Sequence, residues 1–157
     1  MSKRMLVRWI ALLATVACMT AIFLFSSQDT WKSNDISGGL LQSVFRRFFG
    51  GLPEDRFEAA NWILRKCTHF GIYAGMAACA ALCLSTFSGR LRWKFGLTVF
   101  VSFLYAVLDE WHQTFVPGRT GSLRDVIIDT CGAALGAAIV FFITHCIRER
   151  KQSANGC

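Results

Sequence analysis

Four apolar segments, each close to the length of a membrane-spanning helix, are the strongest constraint on how this chain folds. They cover approximately residues 9–25, 67–87, 93–112 and 126–146. A helix needs about 20 apolar residues to cross the hydrocarbon core of a bilayer. The chain has 157 residues, of which 54% are hydrophobic, and a soluble core of that size would not bury so much apolar surface. The sequence therefore predicts one all-α domain over residues 1–157, an integral membrane bundle of four transmembrane helices.

The first apolar segment also has features of a signal peptide. Lys3, Arg4 and Arg8 precede its apolar core, and a basic start followed by such a core is typical of secretory signals. The segment ends in Phe25-Ser-Ser-Gln28, which is a poor small-residue cleavage site. We therefore expect an uncleaved transmembrane helix.

Charged residues between the segments predict the orientation. The N-terminal tail, the loop between segments two and three and the C-terminal tail together hold nine Lys or Arg residues and one acid. The other side holds eight Lys or Arg residues and nine acids. Although the basic residues are nearly balanced, both tails and the short loop are basic, and such segments favour the cytoplasmic side. We expect both termini in the cytoplasm.

The long connection between segments one and two contains its own helical pattern. Gly38-Gly39 and Gly50-Gly51 bracket a run in which apolar residues recur at helical spacing. These are Leu40, Leu41, Val44, Phe45, Phe48 and Phe49. The pattern predicts either an amphipathic helix in the outer membrane interface or a short helix packed across the top of the bundle. Pro53 then marks the start of a new helix that leads into segment two.

Polar and ionisable residues gather where the four segments meet the predicted outer side. An ionisable group inside a span costs about 2.5–3.5 kcal/mol, so such groups are usually paired, hydrated or functional. Helical spacing places Asp109, His112 and Gln113 on one face of segment three, and Asp125 and Asp129 on one face of segment four. Arg and Lys suit phosphate recognition, and His beside carboxylates suits proton transfer near neutral pH.

These chemical properties define the candidate site residues. The candidates for catalysis are His69, Asp109, His112 and Asp129. The candidates for ligand or phosphate binding are Arg65, Lys66, Gln113, Arg119 and Ser122, with Gln28, Glu110 and Asp125 in supporting positions. A purely structural alternative is that Arg65 or Arg119 neutralises Asp109 or Asp129 at the helix ends.

The same region also raises the questions of metal binding and of close helix packing. His with carboxylates suits a divalent metal, but the chain has no H-x-x-x-H, H-E-x-x-H or C-x-x-C spacing. We therefore expect no metal and no other cofactor. Gly71-x-x-x-Gly75 and Gly132-x-x-x-Gly136 are predicted to be close-packing contacts between helices.

At these residues the sequence resembles the VanZ-like family of bacterial membrane proteins. The matching pieces are Phe25-Ser-Ser-Gln28, Arg65-Lys66, His69-Phe70, Asp109-Glu-Trp-His-Gln113, Gly118-Arg119, Gly121-Ser122 and Asp125 through Asp129-Thr130. They occur in that family's order between residue 9 and about residue 145. The family takes its name from a protein associated with low-level resistance to the glycopeptide teicoplanin. The resemblance implies a cell-envelope role in the bacterial cytoplasmic membrane and a link to antibiotic resistance.

Three functions remain open at this point. The preferred one is binding of an anionic membrane lipid or a polyprenyl-linked wall precursor in an outward-facing polar cleft. The second is a membrane enzyme acting on a lipid phosphate or related ester, although the usual lipid-phosphatase motifs are missing from the chain. The third is a structural accessory subunit. Despite a net charge of +7, no nucleic-acid-binding signature is found, so nucleic acid is not an expected partner.

Overall fold

The computed structural model describes residues 2–28, 30–51 and 53–155, and these residues form helices joined by short connections. In chain order the helices are α1 (Lys3–Ser26), α2 (Thr30–Phe49), α3 (Glu54–Ser85), α4 (Leu91–Gln113) and α5 (Leu123–Asn155). Within the described ranges there is no strand. Helices α1, α3, α4 and α5 are long and apolar enough to cross a membrane. The predicted all-α bundle with four spans is confirmed.

Helices α3 and α5 approach each other closely along two glycines of α5. A Cβ atom added at Gly132 would overlap the backbone carbonyl of Phe70, and one added at Gly136 would overlap that of Ala74. Small residues permit such close backbone approach in membrane bundles, where packing rather than hydrophobic burial drives association. The predicted Gly132–Gly136 contact is therefore confirmed.

The second predicted glycine contact, at Gly71 and Gly75 of α3, is wrong. Both residues are exposed, and a Cβ atom at either would meet nothing within 4 Å. The G-x-x-x-G spacing places two glycines on one helix face, but the spacing alone does not determine whether another helix packs on that face.

The interior of the bundle consists mainly of small side chains, whereas large apolar ones point outwards. The fully buried alanines are Ala77, Ala81, Ala106, Ala133 and Ala137. By contrast, Leu13 of α1 and Phe142 of α5 are 66% and 69% exposed. Large apolar side chains outside and small ones inside suit a bundle that faces lipid. Lipid tails solvate the large apolar groups, and small residues let the helices pack closely.

Helix α2 corresponds to the helix predicted between the first two spans, but it begins earlier than predicted. It runs through Gly38 and Gly39 instead of starting after them, because Gly38 packs against Phe57 of α3. A Cβ atom at Gly38 would lie 2.8 Å from the Phe57 ring. This contact offsets the cost of about 1 kcal/mol for glycine inside a helix. Exposed apolar residues of α2, namely Leu40, Val44 and Phe48, share one face, as an interfacial helix would require.

We call the end of the bundle that holds the C-terminus of α3 the opposite end. Cationic side chains there interact with the last residues of α3 and those following it. Lys94 Nζ donates to the carbonyl of Phe87 at 2.6 Å, and Arg148 Nη2 donates to the carbonyl of Ser85 at 2.7 Å. Arg8 Nε donates to Thr86 Oγ1 at 3.1 Å. Cations at a helix C-terminus satisfy its unpaired carbonyls and interact favourably with the helix dipole.

Candidate functional site

Most of the residues predicted from the sequence meet at the other end of the bundle, which we call the cleft end. It comprises the C-terminal turns of α1 and α4, the first turns of α5, residues 61–73 of α3 and the connection between α4 and α5. Four helices therefore contribute polar groups at one level, as the sequence predicted.

Asp109 is the centre of a buried hydrogen-bond network at the cleft end. Its side chain is 4% exposed, and Oδ2 accepts hydrogen bonds from Ser26 Oγ at 2.9 Å and Gln113 Nε2 at 3.2 Å. The same amide nitrogen lies 3.3 Å from Glu110 Oε1. Because buried carboxylates are costly unless they accept hydrogen bonds, this network fixes Asp109 in one position.

Arg119 extends the network from the connection between α4 and α5. Its Nη1 donates to Gln113 Oε1 at 3.2 Å, and its Nη2 donates to the carbonyl of Phe25 at 3.4 Å. The guanidinium thus bridges the ends of α1 and α4. Through Gln113 it also orients the groups around Asp109.

Glu110 holds the start of α5 in place. Its Oε2 accepts a hydrogen bond from the backbone N–H of Ser122 at 2.8 Å. Gly121 makes this contact sterically feasible, because a Cβ atom there would lie 2.9 Å from the backbone oxygen of Glu110. Glu110 is 5% exposed and has a positioning role.

His69, Asp109 and Asp129 come together from α3, α4 and α5. One ligand atom from each can be chosen so that all three lie within 4.8 Å of one another. His69 Nδ1 is 3.6 Å from Asp129 Oδ2, which is an ion-pair distance but too long for a hydrogen bond. Asp129 is completely buried, and neither of its oxygens has a hydrogen-bond partner among the described residues.

Lys66 and Asp125 form a second charged pair between α3 and α5. Lys66 Nζ donates to Asp125 Oδ2, and the two side chains are 25% and 18% exposed. The sequence suggested Arg65 or Arg119 as the groups that neutralise the carboxylates. Two further contacts of the cleft-end carboxylates are the pair of Lys66 with Asp125 and the approach of His69 Nδ1 to Asp129 Oδ2 at 3.6 Å.

His112 lies apart from the other catalytic candidates. Its ring stacks on Phe23 with centroids 4.7 Å apart, and its Nε2 is 3.1 Å from Ser27 Oγ. These contacts turn the imidazole towards α1. The sequence assigned His112 to the same face as Asp109, whereas the structure joins only His69 to the pair of buried aspartates.

A polar cavity of about 670 Å³ opens between α3, the connection after α4 and the start of α5; we call it the polar cleft. Its basic lining residues are Arg65, Lys66, Arg119 and Arg124, and its lining also includes Gln113, Ser122 and Asp125. Beneath it, a small chamber of about 20 Å³ is lined by residues that include His69, Glu110 and Asp129; we call it the inner chamber.

A second cavity of about 230 Å³ lies between α1, α2 and α3 and is mainly apolar; we call it the apolar groove. Its lining includes Phe25, Leu40, Leu64 and Ile72, with Gln28 and His69 among the polar members. Arg65 and Arg119 line both the polar cleft and the apolar groove. The two cavities are therefore neighbours that share a pair of guanidinium groups.

The VanZ/LLP1 family model matches residues 11–144. The chain belongs to the VanZ/LLP1 family. Comparisons with curated proteins and with solved structures find no match to either.

In this VanZ/LLP1 protein, the residues that carried the sequence resemblance lie mainly at the cleft end. Ser26 and Arg124 belong to that region but were not among the predicted site residues. Ser26 is completely buried against Asp109, and Arg124 lines the polar cleft. The Ser-Ser pair at the end of α1 indicated a polar position, but helical spacing did not distinguish the buried Ser26 from the exposed Ser27.

Proposed function

We propose that this VanZ/LLP1 protein binds an anionic amphiphile, namely a membrane lipid or polyprenyl-linked envelope precursor that carries a phosphate group. The observation that supports this proposal is that the polar cleft and the apolar groove share Arg65 and Arg119. A ligand with a charged head and an apolar chain has both of its parts accommodated by neighbouring cavities.

The chemistry of the polar cleft favours an anion. Four of its described lining residues are basic, Asp125 is the acidic one, and Asp125 is already paired with Lys66. Arginine binds phosphate through two parallel hydrogen bonds. The apolar groove provides Phe25, Leu64 and Ile72 for a lipid chain, and burial of each CH₂ group contributes about 0.8 kcal/mol.

The proposal includes an orientation. The cleft end faces away from the cytoplasm and both termini face the cytoplasm, because the tails and the loop between α3 and α4 are basic. The protein then lies in the bacterial cytoplasmic membrane, with the polar cleft at the depth of the outer lipid headgroups. Labelling of cysteines placed in the tails and in the 114–122 connection tests this orientation.

Lipid retention tests the binding proposal directly. The protein is purified into nanodiscs, offered polyprenyl phosphates, polyprenyl pyrophosphates and common phospholipids, and examined by mass spectrometry. Arg119→Ala and Arg65→Ala should each weaken retention of the phosphate lipid about 10- to 100-fold, because a hydrogen bond to a charged group contributes about 1.5–3 kcal/mol.

Arg56→Ala is the matched control for these variants. Arg56 belongs to the same helix as Arg65, but its side chain is 79% exposed and lies 4.0 Å from Asp55. Arg56→Ala removes the same charge from a position outside both cavities, so it should leave lipid retention unchanged. Equal retention by wild type, Arg65→Ala and Arg119→Ala would refute the proposal.

The second candidate is an enzyme acting on a lipid phosphate or related ester. It is supported by His69, which lines the apolar groove and lies 3.6 Å from the buried carboxylate of Asp129. Such an imidazole is suited to general acid–base catalysis. The nanodisc experiment detects this activity as an altered lipid that disappears in His69→Ala. Formation of the same product by that variant would exclude the proposed role.

We extend the binding proposal to teicoplanin tolerance, because a protein that binds a lipid-linked wall precursor alters its availability at the membrane surface. Expression in a susceptible bacterium should raise the minimal inhibitory concentration of teicoplanin for wild type and not for Arg119→Ala. An equal rise with both proteins would show that teicoplanin tolerance does not depend on the polar cleft.

A further inference from the structure

We infer that His69, Asp109 and Asp129 form a binding site for a first-row divalent metal ion such as Zn²⁺ or Mn²⁺. The site joins α3, α4 and α5 beneath the polar cleft. It goes beyond the proposed lipid binding and does not depend on it. The spacing motifs of the sequence did not indicate it, because each ligand comes from a different helix.

The burial of Asp129 is the observation that points to a ligand. Its side chain is completely buried, and both carboxylate oxygens are without a hydrogen-bond partner in the described part of the chain. A carboxylate removed from water without compensation is costly, so buried charges are paired or coordinate metals. His69 at 3.6 Å contributes one nitrogen but no hydrogen bond to either oxygen.

The three ligand types suit the same class of metal. One imidazole nitrogen and two carboxylates are typical ligands of Zn²⁺ and Mn²⁺, whereas Ca²⁺ and Mg²⁺ prefer sites made of oxygen ligands. Metal–ligand bonds of about 2.0–2.2 Å place neighbouring ligands about 3–4 Å apart. The present separation of up to 4.8 Å therefore closes with side-chain movements of about 1 Å.

The surroundings of Asp109 resemble the outer shell of a metal site. Ser26 and Gln113 both donate to Oδ2 of Asp109, and Arg119 in turn donates to Gln113. Hydrogen bonds of this kind orient a ligating carboxylate. A carboxylate has about four lone-pair positions, so two hydrogen bonds leave Asp109 able to bind a metal as well.

Three protein ligands leave further coordination positions on the ion. The inner chamber borders His69 and Asp129 and is also lined by Arg65 and Lys66. An oxygen from water or from a phosphate bound in the polar cleft is the ligand that this position would accept. The metal site is thus placed to contact the headgroup of the proposed lipid.

Metal content is the test, and it needs no lipid. The full chain is purified, stripped with a chelator, dialysed against Zn²⁺ or Mn²⁺ and measured by elemental mass spectrometry, with affinity from a competing chelator. One equivalent of metal per chain is expected. Asp129→Asn should weaken binding more than about 100-fold, because changes outside the ligand shell already cost about 10- to 100-fold.

Glu149→Gln is the matched control, since Glu149 also belongs to α5 but is exposed and lies 3.2 Å from His145, outside the inner chamber. It should keep one equivalent of metal. His69→Gln provides a second ligand variant if Asp129→Asn does not yield a folded protein. Less than 0.1 equivalent in folded wild type, measured with about 1 μM protein and metal in tenfold excess, would overturn the inference.

The outcomes separate this inference from the proposed function. Stoichiometric metal with no retained lipid would support the metal site and count against lipid binding. Retained lipid in a wild-type protein that binds neither ion would overturn the metal site alone. Equal loss of metal in Glu149→Gln and Asp129→Asn would also overturn it, because general weakening of α5 would then explain both variants.

Discussion

The two ends of the bundle both hold charged side chains, but they use them differently. At the opposite end, Lys94 and Arg148 donate to backbone carbonyls at the end of α3, at 2.6 and 2.7 Å. At the cleft end, cationic residues line the polar cleft, and the buried charged groups are carboxylates. Asp109 is held by side-chain hydrogen bonds, and Asp129 has none among the described residues.

This difference shows that a charge within a membrane bundle does not by itself identify a site. The cations at the opposite end satisfy groups that every helix terminus leaves unpaired. Their positions follow from the fold. Of the carboxylates at the cleft end, only Glu110 accepts from a backbone N–H at a helix start in the described part of the chain. Asp109 and Asp129 satisfy no helix terminus there, and Asp129 is buried without a hydrogen bond to a described residue. The type of partner, rather than the presence of charge, distinguishes the opposite end from the cleft end.

The largest expected effect comes from the close contact between Gly136 of α5 and Ala74 of α3. Gly136→Leu should destabilise the protein by about 3 kcal/mol or more, because its side chain would meet the backbone of Ala74 and overpacking costs about 1–3 kcal/mol even where side chains can adjust. Lipid retention should fall as well. Unfolding in detergent measures the first effect. Gly75→Leu, on an open face of α3, is the control and should change neither property.

Removing a buried cation at the opposite end should separate stability from binding. Lys94 is 8% exposed, and Lys94→Met keeps most of its apolar stem while losing the hydrogen bond to Phe87. We expect a loss of about 1–2 kcal/mol in the free energy of unfolding, with phosphate-lipid retention unchanged. A parallel drop in retention would show that the two ends are coupled.

A milder test uses the arginine that packs against the end of α3. Arg8 lies 3.8 Å from the Phe87 ring centroid and donates to Thr86. Arg8→Lys keeps the charge but loses the planar guanidinium, so we expect about 0.5–1 kcal/mol of destabilisation. Thermal unfolding measures this loss. A full loss of folded protein would mean that the opposite end tolerates less change than the half-buried position of Arg8 suggests.

The smallest expected effect is at the exposed contact between Ser27 and His112. Ser27→Ala removes a hydroxyl that lies 3.1 Å from His112 Nε2. We expect less than about 0.5 kcal/mol of change in stability, as is usual for exposed substitutions, and unchanged lipid retention. Altered lipid turnover in this variant would show that His112 takes part in the lipid site, which would then include the contact between Ser27 and His112.

The long apolar segments predicted the spans, and helical spacing predicted the shared faces of Asp109 with Gln113 and Asp125 with Asp129. Spacing within one helix does not determine which neighbour each face meets. For this reason Gly132 was predicted correctly and Gly71 was not. His69 and His112 looked equivalent for the same reason.

The start of α2 depended on information outside its own residues. Gly38 and Gly39 favour a break when judged by local propensity, but a contact with Phe57 of α3 favours the longer helix. The three possible metal ligands also come from separate helices, so their meeting depends on tertiary packing. Sequence patterns were therefore most informative within each helix and least informative between helices.

The order of the helices along the chain has a consequence for biogenesis. Ser26 and Asp109 are 83 residues apart, and Asp129 belongs to α5, which leaves the ribosome after the other three spans described here. The earlier spans must therefore remain beside the insertion machinery, or find one another again, until α5 arrives. A chain stalled before α5 leaves Glu110 of α4 without the backbone N–H of Ser122, its partner at the start of α5. Membrane quality-control proteases would encounter that unfinished intermediate as a helix in which Glu110 lacks this hydrogen bond.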